Sequence, residues 1–244
     1  MLFPMDTHFH FDLYKDRLDI LNYIEKHQSY TIAVTNLPKL FSKYRKEICW
    51  NCYKYIRLAL GYHPQLVDKF PKEIDIFCTE LKYTKYVGEI GLDYCAPKDE
   101  HPLQKSIFER IICECDCLGD KVLSIHSRKA ESDILAILDK IRCKVILHWY
   151  SGNIRLLEKA VSNGFYFSIN HQMINSVHGQ AIIKRIPLSN ILLESDAPFT
   201  TGMQHSYSLD FQHQIYSFLA RIHNIAEDEL STICRHNLKR LLEQ

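Results

Sequence analysis

Five short runs spread along the chain each close on side chains able to bind a metal ion: Asp6-Thr7-His8-Phe9-His10, Gly88-Glu89-Ile90-Gly91, Ile125-His126-Ser127-Arg128, Leu147-His148-Trp149-Tyr150 and Glu194-Ser195-Asp196-Ala197-Pro198. The imidazoles of His8, His10, His126 and His148 and the carboxylates of Glu89 and Asp196 can meet only if these runs are strands whose C-terminal ends converge. The intervening chain agrees, because β-rich runs alternate with longer stretches of helical period, the pattern of repeated βα units. Strands are expected at Leu2 to His8, Tyr30 to Thr35, Tyr55 to Leu60, Tyr86 to Ile90, Val122 to His126, Lys144 to His148, Phe165 to Ile169 and Ile191 to Glu194. These eight runs are the number that closes a barrel, so the expected fold is α/β, a (β/α)8 TIM barrel with the metal site at the C-terminal strand ends.

Helices are expected at Leu13 to Lys26, Lys39 to Cys52, Glu73 to Lys82, Pro102 to Leu118, Lys129 to Lys140, Asn153 to Ser162 and Ser176 to Arg185, with two more at Leu209 to His223 and Glu227 to Leu242. No Pro, Gly or Ser rich stretch divides residues 1–244, which are read as one domain. The formal net charge of +1 gives no global field to recruit nucleic acid, so such a contact must use a local patch or bound cations. The first residues have no basic region followed by a long apolar core, and no stretch approaches a membrane span, so a cytoplasmic protein without membrane contact is expected. Nine cysteines are then expected as reduced thiols. Cys49 and Cys52 have redox or zinc spacing, but without a second pair they are read as structural thiols inside a continuing helix. Cys113 and Cys117 should share a helix face, with Cys115 opposite.

His8 and His10 lie two apart, so in an extended segment both imidazoles point one way and can grip one ion. Glu89 stands between Gly88 and Gly91, where little obstructs a carboxylate bridging two ions. His126 and His148 close consecutive strands and would serve the second ion. Asp196 ends the eighth strand, beside the first in a closed barrel, and joins His8 and His10.

Taken with Gly61-Tyr62-His63-Pro64, Gly88-Glu89-Ile90-Gly91-Leu92-Asp93-Tyr94, Gln104 with Phe108, and His148-Trp149-Tyr150-Ser151-Gly152, these segments resemble the TatD family of metal-dependent deoxyribonucleases, within the amidohydrolase-like barrels. The resemblance covers nearly the whole chain. It implies two divalent ions (Mg²⁺, Mn²⁺ or Zn²⁺), one held by His8, His10, Glu89 and Asp196 and the other by Glu89, His126 and His148. It adds His63 as a substrate-phosphate or proton-transfer residue, with a structural turn histidine as the other reading. Asp196 would orient or deprotonate the attacking water, and Arg128 either forks onto a phosphate oxygen or pairs with a carboxylate. The implied activity is hydrolysis of DNA, single-stranded or frayed, from the 3′ end.

The chain departs from its relatives after the eighth run, where Phe199 to His205 leads directly towards a helix and an Arg-Asn-Glu-Pro segment is missing. Ser195 replaces the usual Thr, and Trp149-Tyr150 replaces Cys-Phe. Trp149, Tyr150 and Tyr94 either offer stacking faces for unpaired bases or pack the barrel rim. His205 is either a phosphate contact or a solvated loop residue. The compact length and altered loop resemble the TatD-like subunits of Qat-type anti-phage gene clusters, which would make other defence subunits partners; DNA repair or turnover is the other role. Competing activities are amide or ester hydrolysis, including aminoacyl-tRNA deacylation, and a non-catalytic DNA- or protein-binding barrel.

Overall fold

The computed structural model describes residues 2–243. Its strands are β1 (Met5–Phe9), β2 (Tyr30–Val34), β3 (Ile56–Ala59), β4 (Tyr86–Gly91), β5 (Val122–His126), β6 (Lys144–His148), β7 (Tyr166–Ile169) and β8 (Ile191–Leu193). They pair in parallel in the orders β1-β2-β3 and β4-β5-β6-β7-β8. Two seams join these sheets into the expected barrel. Between β3 and β4, Leu60 N–H donates to Tyr86 O at 3.0 Å and Gly88 N–H to Leu60 O at 2.9 Å. Between β8 and β1, side chains and strand-end backbone replace a ladder: Thr7 Oγ1 donates to Leu193 O at 3.1 Å, Ser195 N–H to Asp6 Oδ1 at 2.9 Å and Asp196 N–H to His8 O at 3.0 Å.

Helices α1 (Arg17–Lys26), α2 (Pro38–Glu47), α3 (Glu73–Glu80), α4 (His101–Leu118), α5 (Glu131–Ile137), α6 (Ile154–Ser162), α7 (His171–Ile174), α8 (Val177–Ile183), α9 (Phe211–His223) and α10 (Glu227–Leu242) connect or follow the strands. β5, β6 and α10 match their expected limits, and the early end of α2 has a local cause. Helix α2 stops at Glu47 because Ile48 turns extended and Trp50–Cys52 form a 3₁₀ turn, with Trp50 Nε1 donating to Tyr44 O at 2.9 Å. Cys49 and Cys52 are therefore exposed on a turn rather than held in a helix. The short α7, absent from the sequence expectation, starts where the Asn170 side chain accepts from Met173 N–H at 3.1 Å. Helices α9 and α10 meet the starts of β1 and β8: Gln212 accepts from Met5 N–H at 3.0 Å, and Asn237 Nδ2 donates to Ile191 O at 2.8 Å. A continuous core runs from Met5 to Leu241, and among the described residues no helix is long and apolar enough to cross a membrane.

Register breaks occur at two positions that matter for the site. The β1–β2 ladder shifts between Asp6 and Phe9, and the β4–β5 ladder between Val87 and Ile90, so the irregularities contain His8 and Glu89. Such a break re-aims a side chain relative to its strand. Gly88 and Gly91 serve close strand contact: a Cβ at Gly91, whose φ is +143°, would stand 2.0 Å from His126 O, and one at Gly88 would stand 2.8 Å from the Ser124 Cβ.

Asp6 carries much of the β8–β1 seam. Fully buried, it accepts from His8 N–H at 3.2 Å and Ser195 N–H at 2.9 Å through Oδ1, and from Tyr207 OH at 2.7 Å through Oδ2. Asp6→Ala strands three donors, and a loss of about 4 kcal/mol in urea-unfolding free energy is expected. A loss under about 1 kcal/mol would show that the seam does not need this carboxylate.

Candidate metal centre

At the C-terminal mouth, the two oxygens of Glu89, a residue only 1 % exposed, face different sets of imidazoles. Oε1 lies 2.6 Å from His126 Nδ1 and 2.8 Å from His148 Nε2. Oε2 lies 3.1 Å from His10 Nε2, 3.3 Å from His63 Nε2 and 3.6 Å from His8 Nε2. Asp196 Oδ1 is 3.4 Å from His10 Nε2 and 3.7 Å from His8 Nε2, and those two nitrogens are 3.1 Å apart. The six residues read from strand ends thus share one cluster, and His63 is brought into it. Ligand atoms come within mutual reach in the groups His8/His10/Asp196, His63/Glu89/His126 and His8/His148/Glu194.

Backbone geometry contributes to this convergence. Asp196 adopts φ +47°, a region Asp tolerates better than most residues, and its turn is held by Asp196 N–H to His8 O at 3.0 Å and Phe199 N–H to Asp196 O at 2.8 Å. Trp149 at φ +39° is less comfortable and is fixed by its N–H donating to Glu194 Oε1 at 3.0 Å.

Burial would raise the Glu89 pKa, but the imidazoles of His63, His148 and His126 hold it well below the usual carboxylate range. Burial disfavours an imidazolium at His10, yet the Asp196 and Glu89 carboxylates outweigh it and push its pKa up to about 10. Burial lowers His8 to about 3, with neighbouring His148 adding to the effect, and lowers His63 to about 4. The His8 and His148 rings stack at 3.9 Å.

The donor set fits divalent cations. Glu89 Oε2 and Asp196 Oδ1 are buried without a hydrogen-bond partner, although buried polar atoms normally have one. They stand among imidazole nitrogens, and imidazole with carboxylate is a ligand set accepted by several divalent metals. His63 differs from the others. Its Nδ1 accepts from Gln65 N–H at 3.2 Å, so the neutral ring carries its proton on Nε2, which lies 3.3 Å from Glu89 Oε2 without forming a hydrogen bond to it. In that tautomer it is suited to hydrogen bonding or proton transfer rather than ligation.

Arg128 is placed differently, exposed beyond β5, and its guanidinium makes no ion pair or hydrogen bond among the described residues. That disfavours the carboxylate-pair alternative. Tyr150 is buried, its OH donating to Asn153 O at 2.9 Å, so of its two readings the rim-packing one holds and its ring offers no stacking face. Tyr94 is half-buried, stacks on His101 and donates to Asp133 Oδ2 at 2.6 Å. His205 is exposed. Ser195 is buried and its Oγ accepts from Ala197 N–H at 3.1 Å.

Two supporting carboxylates escaped the residue-by-residue reading. Asp93 Oδ2 lies 3.1 Å from His126 Nε2 and accepts from Gln65 Nε2 at 2.6 Å, which orients the imidazole. Glu194 accepts from Ser168 Oγ, from Asn170 Nδ2 at 2.9 Å and from Trp149 N–H, with Oε2 3.9 Å from His148 Nδ1. Glu194 had a visible signal, a carboxylate directly after Ile191-Leu192-Leu193; Asp93 had none beyond lying in a matched segment.

A parallel eight-stranded barrel with imidazoles and carboxylates gathered at its C-terminal mouth defines a metal-dependent hydrolase. The family model for TatD-related DNase matches residues 5–243, and the chain belongs to that family of metal-dependent hydrolases and deoxyribonucleases. It is 26% identical over 202 residues to the uncharacterized metal-dependent hydrolase YabD of Bacillus subtilis, covering 78% of each chain. It is 33% identical over 120 residues to deoxyribonuclease Tat-D of Schizosaccharomyces pombe, covering 46% of this chain and 37% of that protein. The crystal structure of the Escherichia coli TatD homologue YJJV superposes with a TM-score of 0.84 at 20% identity, covering 98% of this chain and 97% of that one, and shares the fold.

Proposed function

We propose that this chain is a two-ion deoxyribonuclease that trims single-stranded or frayed DNA from the 3′ end. The observation carrying this reading is the division of Glu89: Oε2 faces His8 and His10 beside Asp196, and Oε1 faces His126 and His148. One carboxylate so shared is suited to bridge two sites, the first completed by His8, His10 and Asp196 and the second by His126 and His148. Bound Mg²⁺, Mn²⁺ or Zn²⁺ would supply charge that neutralises the phosphodiester and acidifies water at neutral pH.

The chain's own groups do the rest. Asp196, with Oδ1 lacking any hydrogen bond, orients the attacking water and takes its proton. His63 offers its Nε2 proton to a phosphate or leaving oxygen, its tautomer held by Gln65. Arg128 has a free fork of donors for a further phosphate oxygen. The core from Met5 to Leu241 supports residues 1–244 working as one domain, and nine free cysteines suit a reducing cytoplasm.

The test is incubation of purified protein with end-labelled single-stranded DNA. Shortening from the 3′ end is expected with divalent ion, falling at least about 100-fold in excess EDTA and returning on metal addition. DNA binding without cleavage under every divalent ion would favour the non-catalytic barrel. Cleavage of esters or acyl-tRNA but not DNA would favour the other hydrolase reading.

A further inference from the structure

We propose a base-stacking subsite on Phe199, which takes an unpaired nucleobase next to the scissile phosphate; it rests on the nuclease reading above. Phe199 is 55 % exposed, which is unusual for a phenylalanine at the edge of a buried polar cluster. Its ring is perpendicular to His10, with centroids 5.1 Å apart, so the exposed aromatic surface borders the first ligand group. The position is held by the backbone, since Phe199 N–H donates to Asp196 O at 2.8 Å. Two other aromatic side chains near the mouth are already engaged: Tyr150 is buried and Tyr94 is stacked on His101 at 4.2 Å, while Trp149, just past His148, is only partly exposed.

Topology places this surface usefully. Phe199 follows β8 and touches His10 at the end of β1, whereas Arg128 follows β5, across the barrel. A single strand crossing the mouth with a phosphate over Glu89 would therefore meet a guanidinium on one side and an apolar ring on the other. Every base has a π-face, so stacking binds unpaired nucleotides with little regard to sequence, and a base kept in a duplex cannot reach the ring. The subsite thus provides a physical reason for preferring single-stranded or frayed ends over paired ones.

The metal-loaded protein and a short single-stranded deoxyoligonucleotide, intact or with an abasic sugar at successive positions, provide the test. Phe199→Ala should raise KM for the intact strand about tenfold, the scale of one lost base–aromatic contact. Wild type should show a similar rise when the base is absent at one particular position, and Phe199→Ala no further rise there. Phe199→Trp should restore the KM, which a merely structural role at an exposed position would not predict. Unchanged KM in Phe199→Ala, or independent penalties for the variant and the abasic strand, would overturn the subsite while leaving the nuclease intact. Failure of wild type to cleave the intact strand would overturn the nuclease reading and remove the subsite with it.

Discussion

Replacing Glu89 by glutamine is expected to reduce metal-dependent DNA cleavage by at least about 10³-fold and to lower bound metal from two ions per chain to one or none. The substitution keeps the size of the side chain but removes its charge. It also replaces one acceptor oxygen with an NH₂ group, which cannot act as a ligand. Both carboxylate oxygens are in use: Oε1 lies within 3 Å of two imidazole nitrogens, at 2.6 and 2.8 Å, and Oε2 has three between 3.1 and 3.6 Å. Loss of either oxygen's function should therefore affect both sides of the cluster. Metal content by mass spectrometry, alongside cleavage rates, checks the prediction. A Glu89→Gln protein that still binds two ions and cleaves within tenfold of wild type would rule out the bridging role.

Asp196→Asn should lower kcat by about 10²–10³-fold while changing KM for a single-stranded oligonucleotide by less than about threefold, because its proposed task includes accepting a proton as well as holding an ion. The choice of asparagine is deliberate. Position 196 has φ +47°, a conformation that Asn tolerates as Asp does, and the N–H and carbonyl bonds that anchor the turn involve only backbone. The exchange therefore tests the carboxylate with little disturbance of its support. Circular dichroism and unfolding midpoints should match wild type. A kcat within a factor of three of wild type would exclude Asp196 as base, and an equally large rise in KM would assign it to substrate binding.

Much of the fold could be read from sequence because parallel strands and their covering helices impose strong local periods. Val122 to His126, Lys144 to His148 and Glu227 to Leu242 were located at their observed limits. Where α2 ended early, a local competitor was responsible: Trp50 gave its indole N–H to Tyr44 O, and Ile48 turned extended, ending the helix short of Cys52. At the centre, ligand-type residues at strand ends were visible as a set, since a βα barrel turns sequential strand ends into one mouth. Tyr150 stayed open between stacking and rim packing for the opposite reason, because a tyrosine just past a strand end can turn in or out with the same local sequence, and packing decided for the rim.

The sequence by itself determined the number and order of the strands and the chemical types that gather at their C-terminal ends, because both follow from short-range pattern. Tertiary structure decided how those groups divide: which imidazoles face each oxygen of Glu89, that Gln65 fixes the His63 tautomer, that Asp93 orients His126 while Glu194 lies beside His148, and that Phe199 stays open while Tyr150 is covered. These choices depend on contacts between distant strands and on the register breaks around His8 and Glu89, which local periodicity does not encode.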